Sequence, residues 1–112
     1  MDCLFRKIVA KDIPSQTIVE TDHVIVIPDI APKAKVHVLA IPKQHLVTFT
    51  DFTDDTKSIM GELTMAVKQA VQQLGIAESG YKVIVNNGRD GGQAVPHLHM
   101  HVLGGERVKG VT

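Results

Sequence analysis

Gln93-Ala94-Val95-Pro96-His97-Leu98-His99-Met100-His101-Val102-Leu103-Gly104-Gly105 is the stretch whose reading decides the fold. Histidine falls at every second position, and Leu98, Met100, Val102 and Leu103 occupy the gaps and the tail. Strict polar/apolar alternation reads as a half-buried strand, predicted here over Pro96 to Leu103. In such a strand His97, His99 and His101 share one face, each roughly 6.6–6.8 Å from the next. The apolar residues face the other way, into a core. Of the chain's 6 histidines, 3 lie in this one run.

Three chemistries compete for such a row. A solvated strand face is disfavoured, because histidine is no strong strand former and charged imidazoles repel one another. A zinc centre is open to His-x-His on a strand, three imidazoles plus water being a known catalytic set. Nucleophilic and acid–base catalysis by imidazole is the third. The upstream turn, Asn86-Asn87-Gly88-Arg89-Asp90-Gly91-Gly92-Gln93, favours this last reading. Its glycines let backbone N–H groups approach an anion closely, and an imidazole row beside an amide-lined turn suits a phosphate.

The run from His97 to Leu103 resembles the His-φ-His-φ-His-φ-φ signature of the histidine triad (HIT) superfamily. Gly104-Gly105 and Asp90-Gly91-Gly92-Gln93 resemble the Hint branch, the histidine triad nucleotide-binding proteins, rather than the dinucleoside polyphosphate hydrolase branch. The resemblance extends from Cys3-Leu4-Phe5 through Asp29-Ile30-Ala31-Pro32 and Ile41-Pro42-Lys43-Gln44-His45 to Gly105.

Outward from that stretch, 112 residues imply one domain, residues 1–112, with a small core. Lys plus Arg and Asp plus Glu number 12 each. The zero net charge points to neither nucleic acid nor an anionic membrane as partner. No stretch has the length of a transmembrane helix, and Arg6, Lys7, Lys11 and Asp12 interrupt any signal-peptide core. The single cysteine, Cys3, excludes an internal disulfide, so a cytoplasmic, reducing compartment is expected.

The pattern predicts a short helix over residues 4–11 and strands at Ile18–Glu20, His23–Ile27, Lys35–Ile41 and Tyr81–Asn86. A long helix is predicted from about Thr53 to Leu74. Ile59, Leu63, Ala66, Val67, Ala70, Val71 and Leu74 recur along it at helical spacing, and Gly75 suits its C-terminal stop. The expected fold class is α+β: a five-stranded antiparallel sheet with one long and one short helix. The Hint resemblance implies the same architecture.

The resemblance also implies roles. Asp29 takes the ribose hydroxyls and Ile30 lies by the base. Read from its own surroundings, Asp29 is a loop residue bonding its own backbone. Asn86 meets ribose and phosphate, and Gly92, Gln93 and Ala94 bring backbone to the phosphate. Met100 accompanies the triad in the nucleotide site. His99 is the implied nucleophile, attacking the α-phosphorus and forming a nucleotidyl-histidine. His97, His101 and His45 complete the catalytic set, while His23 and His37 are taken as structural. The implied activity is hydrolysis of purine nucleoside 5′-phosphoramidates to AMP or GMP, by a homodimer, without cofactor. Two other functions stand beside it: a nucleotide-binding regulatory module with incidental hydrolysis, and a dinucleoside polyphosphate hydrolase.

Two residues depart from the family pattern. Many bacterial relatives carry Cys-x-x-Cys near the start and bind zinc; here Cys3 is followed by Arg6, which cannot ligate a metal, so no metal is expected. Ala94 stands where serine is frequent, which removes a hydroxyl near the scissile bond.

Overall fold

The computed structural model describes residues 4–110; Cys3 lies outside them. Its elements are α1 (Leu4–Val9), β1 (Val19–Glu20), β2 (Val24–Pro28), β3 (Val36–Pro42), a 3₁₀ turn (Phe49–Asp51), α2 (Ser58–Gln73), β4 (Tyr81–Ile84) and β5 (Met100–Gly104). The strands form one five-stranded sheet in the order β1-β2-β3-β5-β4, antiparallel throughout. The expected α+β class is the observed one.

Residue parity divides the sheet into two faces. Val24 and Val26 of β2, Val38 and Ala40 of β3, and Met100 and Val102 of β5 pack with Ile59, Leu63, Ala66, Val67, Ala70 and Val71 of α2. The alternate residues, Ile25, Ile27, Leu39 and Ile41, pack with Phe5 and Ile8 of α1. Strand β2 is therefore apolar without alternation, with Val24, Ile25 and Val26 wholly buried. The histidines lie on the α1 side.

Several boundaries differ from expectation, each through competition for a donor. The strand predicted from Pro96 begins at Met100. Pro96 has no N–H, His97 N–H donates to Val95 O at 2.8 Å, and Leu98 N–H donates to Leu46 O at 2.6 Å, so this segment joins no ladder. The alternation nevertheless persists into it, since Leu98 packs with Met100 and Val102.

Helix α2 begins at Ser58 rather than near Thr53. Thr56 Oγ1 accepts from Thr53 N–H at 2.9 Å and Thr53 Oγ1 accepts from Asp55 N–H at 3.2 Å, so the hydroxyls hold a turn in place of the first helical turn. At its far end Leu74 N–H still bonds Ala70 O, and Gly75 follows with φ 75°, a left-handed conformation glycine adopts without a Cβ clash. Met60 is half-buried against the same core, whereas Met65 is exposed. Strand β4 ends at Ile84, which frees Asn86 for the loop that follows.

Candidate active site

A cavity of about 390 Å³ opens on the α1 side of the sheet. Leu4, Phe5, Ile8, Ile27 and Leu39 form an apolar wall, while Asp29, Lys33, Asn86, His99 and His101 are its polar and charged groups. Ile30, Gly92 and Ala94 line it as well. A larger depression, about 480 Å³, lies by Tyr81, Lys82 and Arg107, and its walls hold no histidine.

The imidazoles are held by hydrogen bonds that fix which nitrogen carries the proton. His99 Nδ1–H donates to His97 O at 2.7 Å. In the neutral ring Nε2 then carries the lone pair. The Phe5 ring meets the His99 ring edge-on with centroids 4.9 Å apart, so the imidazole is braced as well as tethered. His99 is 5% exposed, enough to reach the cavity and too little to turn freely.

A second chain of bonds reaches His101 from the opposite wall. Lys33 N–H donates to His37 Nδ1 at 3.0 Å. That nitrogen is thereby an acceptor, so in the neutral ring the proton sits on Nε2. His37 Nε2 is 3.0 Å from His101 Nδ1, and the bond must run from His37 to His101. His101 in turn presents Nε2–H. Asp29 Oδ2 stands 3.4 Å from His37 Nε2 and 3.9 Å from His101 Nδ1. Burial holds both imidazoles below the usual histidine pKa; the Asp29 charge opposes this, and His99 and His37 add to the lowering at His101.

These three side chains have the spacing of a metal site, since tetrahedral ligands at roughly 2.0–2.1 Å from zinc stand at comparable separations. The proton assignment argues otherwise. A ligating histidine donates its second N–H outward, whereas His37 accepts there from Lys33 and needs its proton on the inner nitrogen. The cluster is a hydrogen-bond relay rather than a metal seat.

His97 and His45 lie behind the cavity, outside its lining. His97 is wholly buried, with Nε2–H donating to Pro42 O at 2.7 Å. Burial lowers its pKa to about 4, against the raising effect of the Pro42 bond. His45 Nε2–H donates to Pro96 O at 2.7 Å, and its ring lies 4.8 Å from that of His97. The Arg6 charge acts on His97 in the same direction as its burial.

The remaining predicted contacts are distributed as follows. Asp29 Oδ1 accepts from Ala31 N–H at 2.8 Å, the local turn expected of a loop aspartate, while Oδ2 faces the histidine pair. Ile30 is 95% exposed at the rim. Asn86 Nδ2 donates to Gly91 O at 2.7 Å and so shapes the glycine turn. Gln93 turns inward: Oε1 accepts from Gly88 N–H at 2.8 Å, and Nε2 donates to Val47 O at 2.7 Å and Val95 O at 3.0 Å. Its side chain is thus spent on holding the loop. Gly92 has φ 77° and Gly91 has no room for a Cβ, which would strike the Asn87 carbonyl. The Met100 side chain lies on the opposite face, in the α2-side core.

Sequence reasoning left His37 as structural, yet it joins the site. The signal lies in pairing rather than spacing. β3 aligns Leu39 with His101 and His37 with Leu103, so His37 and His101 are diagonal neighbours on one face, within reach of aromatic rings.

With the fold and these distances in hand, the comparisons with known proteins converge. The HIT domain family model matches residues 10–108. The purine nucleoside phosphoramidase of Escherichia coli K12 is 38% identical over 104 residues, spanning 93% of this chain and 87% of that one. A HIT-like protein of Helicobacter pylori 26695 is 42% identical over 104 residues, spanning 93% and 97%. Among solved structures, a histidine triad protein from Clostridium difficile superposes with TM-score 0.94 at 36% identity, covering 100% of this chain and 97% of that one. A histidine triad nucleotide-binding protein from Candida albicans gives TM-score 0.82 at 36% identity, covering 90% and 73%. The chain belongs to the HIT domain family, a family of hydrolases.

Proposed function

We propose that the protein hydrolyses purine nucleoside 5′-phosphoramidates through a covalent nucleotidyl-histidine. One observation carries this reading: the Nδ1–H bond of His99 to His97 O, which leaves Nε2 as the lone-pair nitrogen at the cavity. The relative from Escherichia coli named purine nucleoside phosphoramidase supports the choice of substrate.

The apolar wall accommodates the base, Asp29 the ribose hydroxyls, and the backbone of residues 88–94 the phosphate. His99 Nε2 attacks the α-phosphorus as the P–N bond of the substrate breaks. With the anionic substrate bound, His101 takes up a proton, and this imidazolium delivers its Nε2–H proton to the departing nitrogen, which leaves as a neutral amine while His101 returns to the neutral ring. His37, with Nε2 3.0 Å from His101 Nδ1, orients His101 for this transfer. Water then attacks the phosphorus, returns a proton to His101 and releases the nucleoside monophosphate with His99 restored. His97 and His45 act from behind, as positioning residues. No cofactor takes part in this reading.

We further propose that the working unit is a homodimer. β4 is a sheet edge, and its Tyr81 and Val83, each 43% exposed, and Ile84, 36% exposed, have no cover among the described residues. A second copy pairing along this edge would cover them about a two-fold axis. Light scattering at micromolar concentration should give twice the 12.2 kDa chain mass; the chain mass itself would refute the dimer.

Steady-state rates on an adenosine phosphoramidate, a dinucleoside polyphosphate and a nucleotidyl sulfate test the activity. The phosphoramidate is expected to have the highest kcat/KM. A higher kcat/KM for the polyphosphate would replace this reading with a phosphoanhydride hydrolase, and retention of nucleotide without turnover would leave a binding module.

A further inference from the structure

Asp29 turns one oxygen to its own loop and the other to two imidazoles. Oδ1 accepts from Ala31 N–H at 2.8 Å. Oδ2 stands 3.4 Å from His37 Nε2 and 3.9 Å from His101 Nδ1, the two nitrogens that meet each other at 3.0 Å. In the resting cluster Oδ2 is therefore just outside the usual bonding range of roughly 2.7–3.2 Å from both.

Counting protons gives this spacing a use. While both rings are neutral, His37 Nε2–H donates to His101 Nδ1. When His101 becomes an imidazolium, Nδ1 carries a proton as well. His37 cannot withdraw its own, because its Nδ1 receives Lys33 N–H at 3.0 Å and its proton stays on Nε2. Two N–H groups then face each other, and Asp29 Oδ2 is the acceptor beside both. Burial opposes the charged His101 ring, as do His99 on its own strand, His37 on β3 and Lys33 on the segment between β2 and β3. Asp29 alone among these groups favours it.

We propose that Asp29 is a positioning residue for the acid step, its Oδ2 taking the Nδ1–H that His101 gains on protonation. The proposal rests on the phosphoramidate reading and gives a second duty to the residue that meets the ribose. A closure of about 1 Å makes the bond, and Ala31 N–H keeps the carboxylate anchored meanwhile. Oδ1 retains a lone pair for the sugar. As His99 Nε2 bonds to phosphorus, the P–N bond of the substrate breaks and its electron pair stays on the leaving nitrogen, which takes the Nε2 proton of His101. His101 is left neutral, with its remaining proton on Nδ1 held by Asp29 and its lone pair on Nε2. That tautomer can take a proton from the water that attacks the nucleotidyl-histidine. The resting tautomer, protonated on Nε2, cannot accept one there.

Two leaving groups test this. Single turnovers of the full chain, with enzyme in excess, are followed against pH on an alkylamine phosphoramidate of adenosine and on the p-nitrophenyl ester of adenosine 5′-monophosphate, whose phenolate leaves without a proton. Asp29→Asn keeps an oxygen for Ala31 N–H and loses the charge. Half-saturating concentrations should rise alike on both substrates, through the ribose. The saturating rate should fall at least about tenfold on the phosphoramidate and no more than about threefold on the ester. On the phosphoramidate the rate falls as pH rises through the His101 titration, because the acid must be protonated, and the variant should move that limb to lower pH. A 2′,3′-dideoxy phosphoramidate, which removes the sugar hydroxyls and keeps the carboxylate, should weaken saturation in the parent and leave the limb in place. An equal loss on the two substrates, no loss on the phosphoramidate, or a limb that the dideoxy substrate moves as far as the variant does would overturn the proposal. Nitrogen NMR of the imidazoles in the ligand-free chain needs no turnover: His101 should titrate at lower pH in Asp29→Asn than in the parent, and an unmoved titration would also overturn it. If no phosphoramidate is cleaved, the hydrolytic reading falls, and the nitrogen titration alone judges the contact between Asp29 and His101.

Discussion

The two faces of the sheet are built from the same strands and could hardly differ more. On the α2 side, Val24, Val26, Val38, Ala40, Met100 and Val102 meet six aliphatic residues of the long helix with no polar side chain in the cluster. On the α1 side, His37, His99 and His101 share space with Phe5, Ile27 and Leu39. One face secures the fold by burial alone. The other spends part of its burial on imidazoles, and favours the neutral forms of His37 and His101. Because the pleat sends neighbouring residues to opposite faces, one run of sequence serves both, and substitutions one residue apart should separate stability from chemistry.

The sharpest form of the contrast is a change confined to the histidine face. His99→Gly removes the proposed nucleophile from a site already next to a cavity, and turnover should fall by at least about 10⁴-fold with thermal stability near that of the parent. Stopped assays at high enzyme concentration measure the residual rate; near-parental hydrolysis would remove His99 from the mechanism. The mirror experiment is Leu63→Ala on α2, a residue with no exposed surface. It should cost about 3–5 kcal/mol in a denaturant melt while kcat of the surviving folded protein stays within a few-fold. A large kcat loss with little destabilisation would mean that the two faces are coupled.

Acid breaks the comparison in another way. The pKa of His97 is lowered in the folded chain from 6.5 to about 4, so between these values the unfolded chain binds the extra proton. Stability is thus complete above about pH 6.5 and is lost as pH falls toward 4, by on the order of 3 kcal/mol from this residue. His37 and His101, shifted in the same direction, add to the slope. Urea midpoints across this range should fall with pH in the parent and fall in parallel in Leu63→Ala; a flat profile would show that the histidine face is not held neutral by burial. The smallest expected effect is that of His37→Ala, which cuts the relay to His101 without touching the nucleophile. A loss of about 10- to 100-fold in kcat with KM little changed is expected, by analogy with partners that orient metal-bound histidines. A loss confined to KM would instead make His37 a ribose contact.

Much of this was legible in the sequence, and the limits have physical causes. The alternation at 97–101 gave the parity of the site because period two survives even where the ladder does not: His97 and Leu98 precede β5 yet keep its alternation. The helical spacing from Ile59 to Val71 marked the buried stripe, all six of its residues lying in the core. His37 was missed because its partner is 64 residues away and only the β3–β5 register brings the two rings to 3.0 Å. The resemblance implies that the Gln93 backbone lies by the phosphate; that its side chain closes the loop is not legible, because composition marks a turn without saying which side chain closes it. The helix starts later than expected because the hydroxyls of Thr53 and Thr56 close a turn there, Thr56 Oγ1 accepting from Thr53 N–H and Thr53 Oγ1 from Asp55 N–H.

The threefold anchoring of Gln93 has a kinetic consequence. Its amide ties Gly88, Val47 and Val95 together before any ligand arrives, and Asn87 Oδ1 holds Phe49 N–H at 2.8 Å from the same loop. On the proposed function, a nucleotide would meet a loop already in its receiving shape. Its capture should follow a single exponential whose rate climbs linearly with concentration, without the plateau that a slow rearrangement imposes. The ordering of the loop is settled while the chain folds, and residence time rather than arrival becomes the quantity that evolution can tune at this site.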